Sequence, residues 1–140
     1  MEDLVREGPI LTIRAEPVLA VQALLREGGE DVPSVELTAL IDTGASGTLI
    51  QSAIFSQVGI ELYSFAYLRT PSTNEPILCG RYRVRIVLSK ALAFEVDAVN
   101  GALTGQNLQC LIGRDILQFV KLAYDGPRNQ FTITQSKASN

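Results

Sequence analysis

The stretch Leu37-Thr38-Ala39-Leu40-Ile41-Asp42-Thr43-Gly44-Ala45-Ser46-Gly47 decides how this chain is read. Its first five residues are apolar or small and of strand length, and Asp42 follows them with no polar residue between. An ionised carboxylate placed against a buried strand is costly unless hydrogen bonds or a partner charge compensate it. The residues that come next supply the means. Gly44 has no Cβ, so backbone N–H groups can turn towards the carboxylate and another chain can approach closely, while Thr43 offers a hydroxyl to lock the loop. The plain alternative is a turn after a strand, which Asp and Gly both favour. A specified triplet of this kind arises by chance in about a few per cent of chains of this length.

A second segment repeats the pattern. Leu108-Gln109-Cys110-Leu111-Ile112-Gly113-Arg114-Asp115 shares L-x-small-L-I with residues 37–41, and each run ends at a sharp polar turn. Working outward, period-two or continuous apolar segments predict strands over 10–15, 18–25, 35–41, 62–69, 77–88, 94–99, 108–112, 119–124 and 130–134. Gly28-Gly29, Pro71-Ser72-Thr73-Asn74, Asn100-Gly101 and Asp125-Gly126-Pro127 carry turn chemistry between them. Two short helices are expected, one over 51–58 stopped by Gly59 and one after Gly113 that includes Ile116 and Leu117. The fold class is all-β. The chain reads as a single domain over 1–140, with its core spanning about 9–134 and a polar end after it.

Composition narrows the chemistry. With 46% hydrophobic and 19% charged residues, 140 residues can bury an ordinary globular core. A net charge of -3 and a pI near 4.9 argue against a nucleic-acid surface, which needs clustered Lys and Arg. Neither a signal peptide nor a membrane-spanning run is present, so the expectation is a soluble cytoplasmic protein with no membrane partner. The chain contains no His, which removes Ser-His-Asp and Cys-His mechanisms. Cys79 and Cys110 lack metal-ligand spacing, so neither a metal nor another cofactor is expected. Carboxylate chemistry remains, and Asp42 is the one acid set between an apolar strand and a small-residue loop.

Taken together, the two segments resemble a known family. Ala39-Leu40-Ile41-Asp42-Thr43-Gly44-Ala45-Ser46, followed by Thr48-Leu49-Ile50, is similar to the active-site loop of the retropepsins, the retroviral-type aspartic proteases. Leu111-Ile112-Gly113-Arg114-Asp115-Ile116-Leu117 resembles that family's second signature, an apolar pair, Gly-Arg and a short helix. The ending, Tyr124-Asp125-Gly126-Pro127 and then Gln130-Phe131-Thr132-Ile133, looks closer to bacterial retropepsin-like proteins than to the compact viral enzymes. The resemblance implies an acid-protease barrel with a flap hairpin, and hydrolysis of peptide or protein substrates by two carboxylates sharing a proton. Only one such triplet is present, so pairing of two chains would bring Asp42 from each copy together. It further implies catalytic roles for Asp42, Thr43 and Gly44, with Thr43 bracing its mate across the two-fold axis.

Substrate contacts carried over from the family fall on Leu40, Ala45, Ser46, Leu49 and Leu111. For the leucines, plain core packing is the competing reading. The flap is expected over 62–88, with Ser72, Thr73 and Asn74 near its tip closing on a bound peptide. Three departures from the family are visible. The flap tip lacks the glycines of the viral enzymes. Ser46 stands where the family often places an acid that pairs with the Gly-Arg arginine, which leaves Arg114 to find another partner. Ala45 lacks a hydroxyl that would favour the ionised Asp42, so a less acidic optimum is expected than in Ser-bearing relatives. Arg81, Arg83 and Arg85 alternate with apolar residues and read as the solvated face of a strand. Cys79 and Cys110 read as small buried thiols rather than a disulfide. Alternatives to an active homodimeric endopeptidase are a catalytically silent peptide-binding or dimerisation module of the same fold, and an unrelated β-barrel binding protein.

Overall fold

The computed structural model describes residues 4–69, 75–101, 103 and 107–135. Helix α1 (Leu4–Glu7) precedes β1 (Ile10–Glu16), α2 (Leu19–Glu27) and β2 (Val35–Ile41). Then come β3 (Leu49–Gln51), α3 (Ser52–Gln57), β4 (Leu62–Leu68), β5 (Ile77–Ser89) and β6 (Leu92–Gly101). The chain continues through β7 (Cys110–Ile112), α4 (Arg114–Leu117), β8 (Val120–Asp125) and β9 (Gln130–Gln135). Seven strands pair in the order β1-β2-β7-β3-β6-β5-β4, and β1 also pairs with β5. Six of them therefore close a ring, with β4 continuing the sheet outside it. Closure covers the hydrogen-bonding edges of those six along the stretches that pair. Strands β8 and β9 form a separate antiparallel hairpin, Val120 opposite Gln135 and Asp125 opposite Gln130.

This is the all-β barrel with a projecting hairpin and short helices that the sequence led us to expect. Alternation drives it. On β2, Leu37, Ala39 and Ile41 are buried while the residues between them are not, and on β1 Ile13 and Ala15 face the same interior. Val84, Ile86, Ala98 and Ile112 fill the ring from β5, β6 and β7, and Ile54, Phe55 and Ile116 close it from α3 and α4. Phe55 stacks on Tyr82 with ring centroids 3.9 Å apart, fixing α3 to β5. Among the described residues no helix is long and apolar enough to cross a membrane.

The repeated L-x-small-L-I motif acquires a meaning in three dimensions. Strands β2 and β7 are parallel neighbours with Ala39 opposite Cys110, Leu40 opposite Leu111 and Ile41 opposite Ile112. The two copies thus lie side by side in the register in which they align, and both polar turns leave the barrel at the same end. Around the small positions, Ala39 and Cys110 are fully buried. Both cysteines are free and buried, as expected.

The segment 18–25, expected as a strand, is helical in α2. An apolar run of eight residues interrupted only by Gln22 does not distinguish the two states, and here Pro17 ends β1 while Ala20, Leu24 and Leu25 favour helix. One long-range and one local contact complete the helix. Glu95 accepts a hydrogen bond from the Leu19 N–H at 2.8 Å, and the buried Gln22 amide donates to the Pro17 carbonyl at 2.7 Å. At the other end Glu30 N–H reaches back to Leu25 O, with Gly29 at φ 74°. Helix α1 and the three-residue β3 were also not anticipated, whereas α3 and α4 lie where turn chemistry put them.

Candidate active site

Asp42 leaves the barrel at the end of β2. Its N–H still donates to Ile112 O at 2.9 Å, prolonging the parallel pairing by one residue, and the chain then turns, with Ala45 N–H donating to Asp42 O at 3.2 Å. The Gly44 N–H donates to Asp42 Oδ1 at 2.9 Å. A Cβ on Gly44 would lie 3.1 Å from that same oxygen, so the missing side chain leaves room for the carboxylate. Asp42 is half-buried, while Thr43 and Gly44 are exposed.

The loop is held from beneath by the second motif. Arg114 N–H donates to Ala45 O at 2.8 Å, and Arg114 Nη1 donates to Thr43 O at 2.7 Å. Backbone carbonyl thus takes the place of the acid that Ser46 does not provide. Asp115 accepts from Thr48 N–H at 3.0 Å and from Thr48 Oγ1 at 2.8 Å, and Oδ1 also accepts from its own Ile116 N–H at 2.9 Å. Thr48 is fully buried, so those bonds replace solvent. Gly113 allows the two loops to touch. A Cβ there would run into the Gly47 carbonyl, with the Gly47 carbon 2.5 Å away and Ala45 O 3.0 Å away.

Above the loop lies an open groove of about 570 Å³. Asp42, Gly44, Ala45, Ser46, Leu49 and Leu111 all line it, bringing six of the residues singled out in the sequence to one surface. Leu40 does not join them; its side chain lies against Gly8, next to the position a Cβ there would occupy. Ser72, Thr73 and Asn74 fall outside the described residues. The hairpin that carries them is formed, with Ala66 opposite Cys79 and Leu68 opposite Ile77, and Ala66 to Arg69 form one groove wall.

Sequence reading missed several participants. Asp115 was passed over because no small-residue loop follows it, yet its position directly after Gly113-Arg114 was the available signal. Arg81 was placed on a solvated face with Arg83 and Arg85. Arg83 and Arg85 pair with Asp97 at 3.1 Å and Glu16 at 3.2 Å, but Arg81 lines the groove together with Asp97 and Val99. Burial pushes the Asp97 carboxyl up, but hydrogen bonds from Tyr63 and Arg83 and the charges of Arg83 and Arg81 outweigh it and hold Asp97 below the usual carboxylate value. The Tyr63 phenol is pushed up in turn, by desolvation first and then by its bond to Asp97. Cys110, beneath the loop, is pushed up to about 12 by burial and by the charge of Asp115.

The site is thus a carboxylate on a braced Asp-Thr-Gly turn that lines an open groove of mixed character, on an all-β barrel. Among solved structures the chain is similar to the retroviral protease-like domain of Ddi1 from Leishmania major, with TM-score 0.49 and 17% identity over 89% of this chain and 88% of that one. It is likewise similar to a retropepsin-like aspartic protease from Rickettsia conorii, with TM-score 0.48 and 17% identity over 89% of this chain and 90% of that one. No family model and no curated protein matches the chain.

Proposed function

We propose that this protein is an aspartic endopeptidase that works as a homodimer, each copy contributing Asp42. The observation that carries the reading is the placement of Asp42: a half-buried carboxylate lining the groove, oriented by the Gly44 N–H at 2.9 Å. Among the described residues, the other acid on the groove is Asp97, already engaged by Arg83 and Tyr63.

One carboxylate cannot serve as both base and acid in the same step, so the second comes from a second copy. Thr43 and Gly44 are exposed beside Asp42, which leaves that side of the turn open to a mate. Two such carboxylates brought together share one proton, because adjacent like charges resist ionising together. The ionised member takes a proton from water as it attacks the scissile carbonyl, and the protonated member donates to the carbonyl oxygen. Gly44 orients Asp42, while Arg114 and Asp115 keep the turn from relaxing. Leu49 and Leu111 offer apolar contact to substrate side chains, and the β4–β5 hairpin forms the wall that closes over an extended peptide.

Cleavage of a peptide library by the wild type and by Asp42→Asn tests the reading, with sedimentation of both. Cleavage by a dimer that vanishes in Asp42→Asn is expected. Equal cleavage by both proteins refutes the catalytic role, a wild-type dimer that binds but never cleaves leaves a peptide-binding module, and an active monomer refutes the pairing.

A further inference from the structure

The groove is apolar near Asp42 and cationic at its far wall. Four strands meet there in register: Leu111 on β7 is opposite Leu49 on β3, Leu49 is beside Val99 on β6, and Val99 is opposite Arg81 on β5. Leu111, Leu49, Val99 and Arg81 therefore form a row across the barrel that begins at the Asp42 turn and ends at a guanidinium, and all four line the groove. Arg69, at the end of β4, lines it as well.

The charges on this wall do not balance. Asp97, two residues before Val99 on β6, is its one carboxylate among the described residues, and it is bonded by Arg83 at 3.1 Å and by the Tyr63 hydroxyl. Arg81 has no ion pair within 4 Å among the described residues, although it lies near enough to Asp97 for their charges to interact. The groove wall thus carries two guanidinium groups, those of Arg69 and Arg81, against one carboxylate that already has two donors. A half-buried arginine presents a planar set of donors, and a carboxylate from outside the chain matches that geometry.

Resting on the peptidase reading above, we infer that Arg81, assisted by Arg69, is a specificity subsite that selects peptide substrates carrying an acidic side chain away from the scissile bond. The distance follows from the row. Three strand-to-strand steps of about 4.8 Å measure roughly 14 Å along the curved sheet and less in a straight line, and an extended peptide advances about 3.4 Å per residue, so the acid sits about three to four residues from the bond cleaved. Between it and the scissile bond, Leu49 and Val99 favour apolar side chains.

The test is the profile of peptides selected from a mixed short-peptide library by two readouts: cleavage by the wild type, and retention on immobilised Asp42→Asn protein. Asp and Glu are expected to be enriched about three- to tenfold at the distal position, the range for a partly exposed charge-assisted contact. Arg81→Gln removes the enrichment, Arg81→Lys restores part of it, and Arg81→Glu shifts it to Lys and Arg. A profile without acid enrichment, an enrichment unchanged in Arg81→Glu, or no retained peptides overturns the inference. Acid-selective retention without any cleavage supports it while sinking the peptidase reading, so the two failures are distinguishable.

Discussion

Replacing Asp115 by Asn changes one atom in the brace beneath the Asp42 turn, and the geometry makes its cost calculable. Oδ1 accepts from Thr48 Oγ1 at 2.8 Å and Ile116 N–H at 2.9 Å, and Oδ2 accepts from Thr48 N–H at 3.0 Å. An amide can keep its oxygen at only one of those places. With oxygen at the Oδ1 position it retains two bonds but sets an NH2 against the Thr48 N–H; in the other orientation it keeps the bond from Thr48 N–H and its NH2 can donate to Thr48 Oγ1, but the Thr48 hydroxyl proton loses its acceptor and Ile116 N–H is left with Gly113 O alone. Either orientation takes a charged acceptor from one donor of Thr48, its N–H or its O–H, and leaves that donor unpaired in a fully buried residue, for a cost of about 2–3 kcal/mol. That is a sizeable part of a stability of about 5–15 kcal/mol. Urea denaturation should show the midpoint fall with m unchanged. Thr48→Val should cost about 1–2 kcal/mol, and the double variant should be less destabilised than the two single effects added together. Asp115→Asn within about 0.5 kcal/mol of wild type, the range of an ordinary surface change, would refute the brace.

Other consequences follow from the same region. Gly113→Ala forces a methyl group against the Gly47 carbonyl and should destabilise by about 1–3 kcal/mol while lowering peptide cleavage through displacement of the Asp42 loop; crystals or spectra showing an unmoved loop at full stability would contradict this. Cys110, raised from 9.0 to about 12, binds its proton more tightly in the folded chain than in the unfolded one. Its contribution is fully present below about pH 9 and is lost as pH rises towards 12, up to about 4 kcal/mol, and Cys110→Ala should remove that component from an alkaline stability titration. Asp97 behaves in the opposite sense: its lowered carboxyl stabilises the fold above the ordinary carboxylate range and ceases to do so as pH falls through its folded value, an effect Asp97→Asn should flatten in an acid titration. Ala45→Ser places a hydroxyl beside Asp42 and should move the acidic limb of the pH–rate profile to lower pH; an unmoved limb refutes the expectation.

Much of the site was legible before any coordinates. Asp42-Thr43-Gly44 and Gly113-Arg114 are local signals, and Leu49 and Leu111 stand at motif positions, so their presence on one groove could be anticipated. Leu40 could not be separated from them, because alternation says which face a residue takes but not whether that face meets a groove or the backbone at Gly8. Arg81 was misread for the same reason. Its spacing from Arg83 and Arg85 marks an outward face, and only the pairing of β5 with β6 and β4 makes part of that face a groove wall.

By itself the sequence determined the β class, the places of α3 and α4, and the carboxylate on a small-residue turn, since each rests on periodicity or backbone preference within a few residues. Tertiary structure decided the rest. Residues 18–25 became helix with the help of Glu95, 76 positions from Leu19, which accepts its first N–H. The Asp42 turn is held by Arg114 and Asp115, whose partners Thr43 and Thr48 lie 71 and 67 residues away. A hydrogen bond across that separation has no periodic trace in the chain; it exists because β2 and β7 lie parallel and deliver both turns to the same end of the barrel.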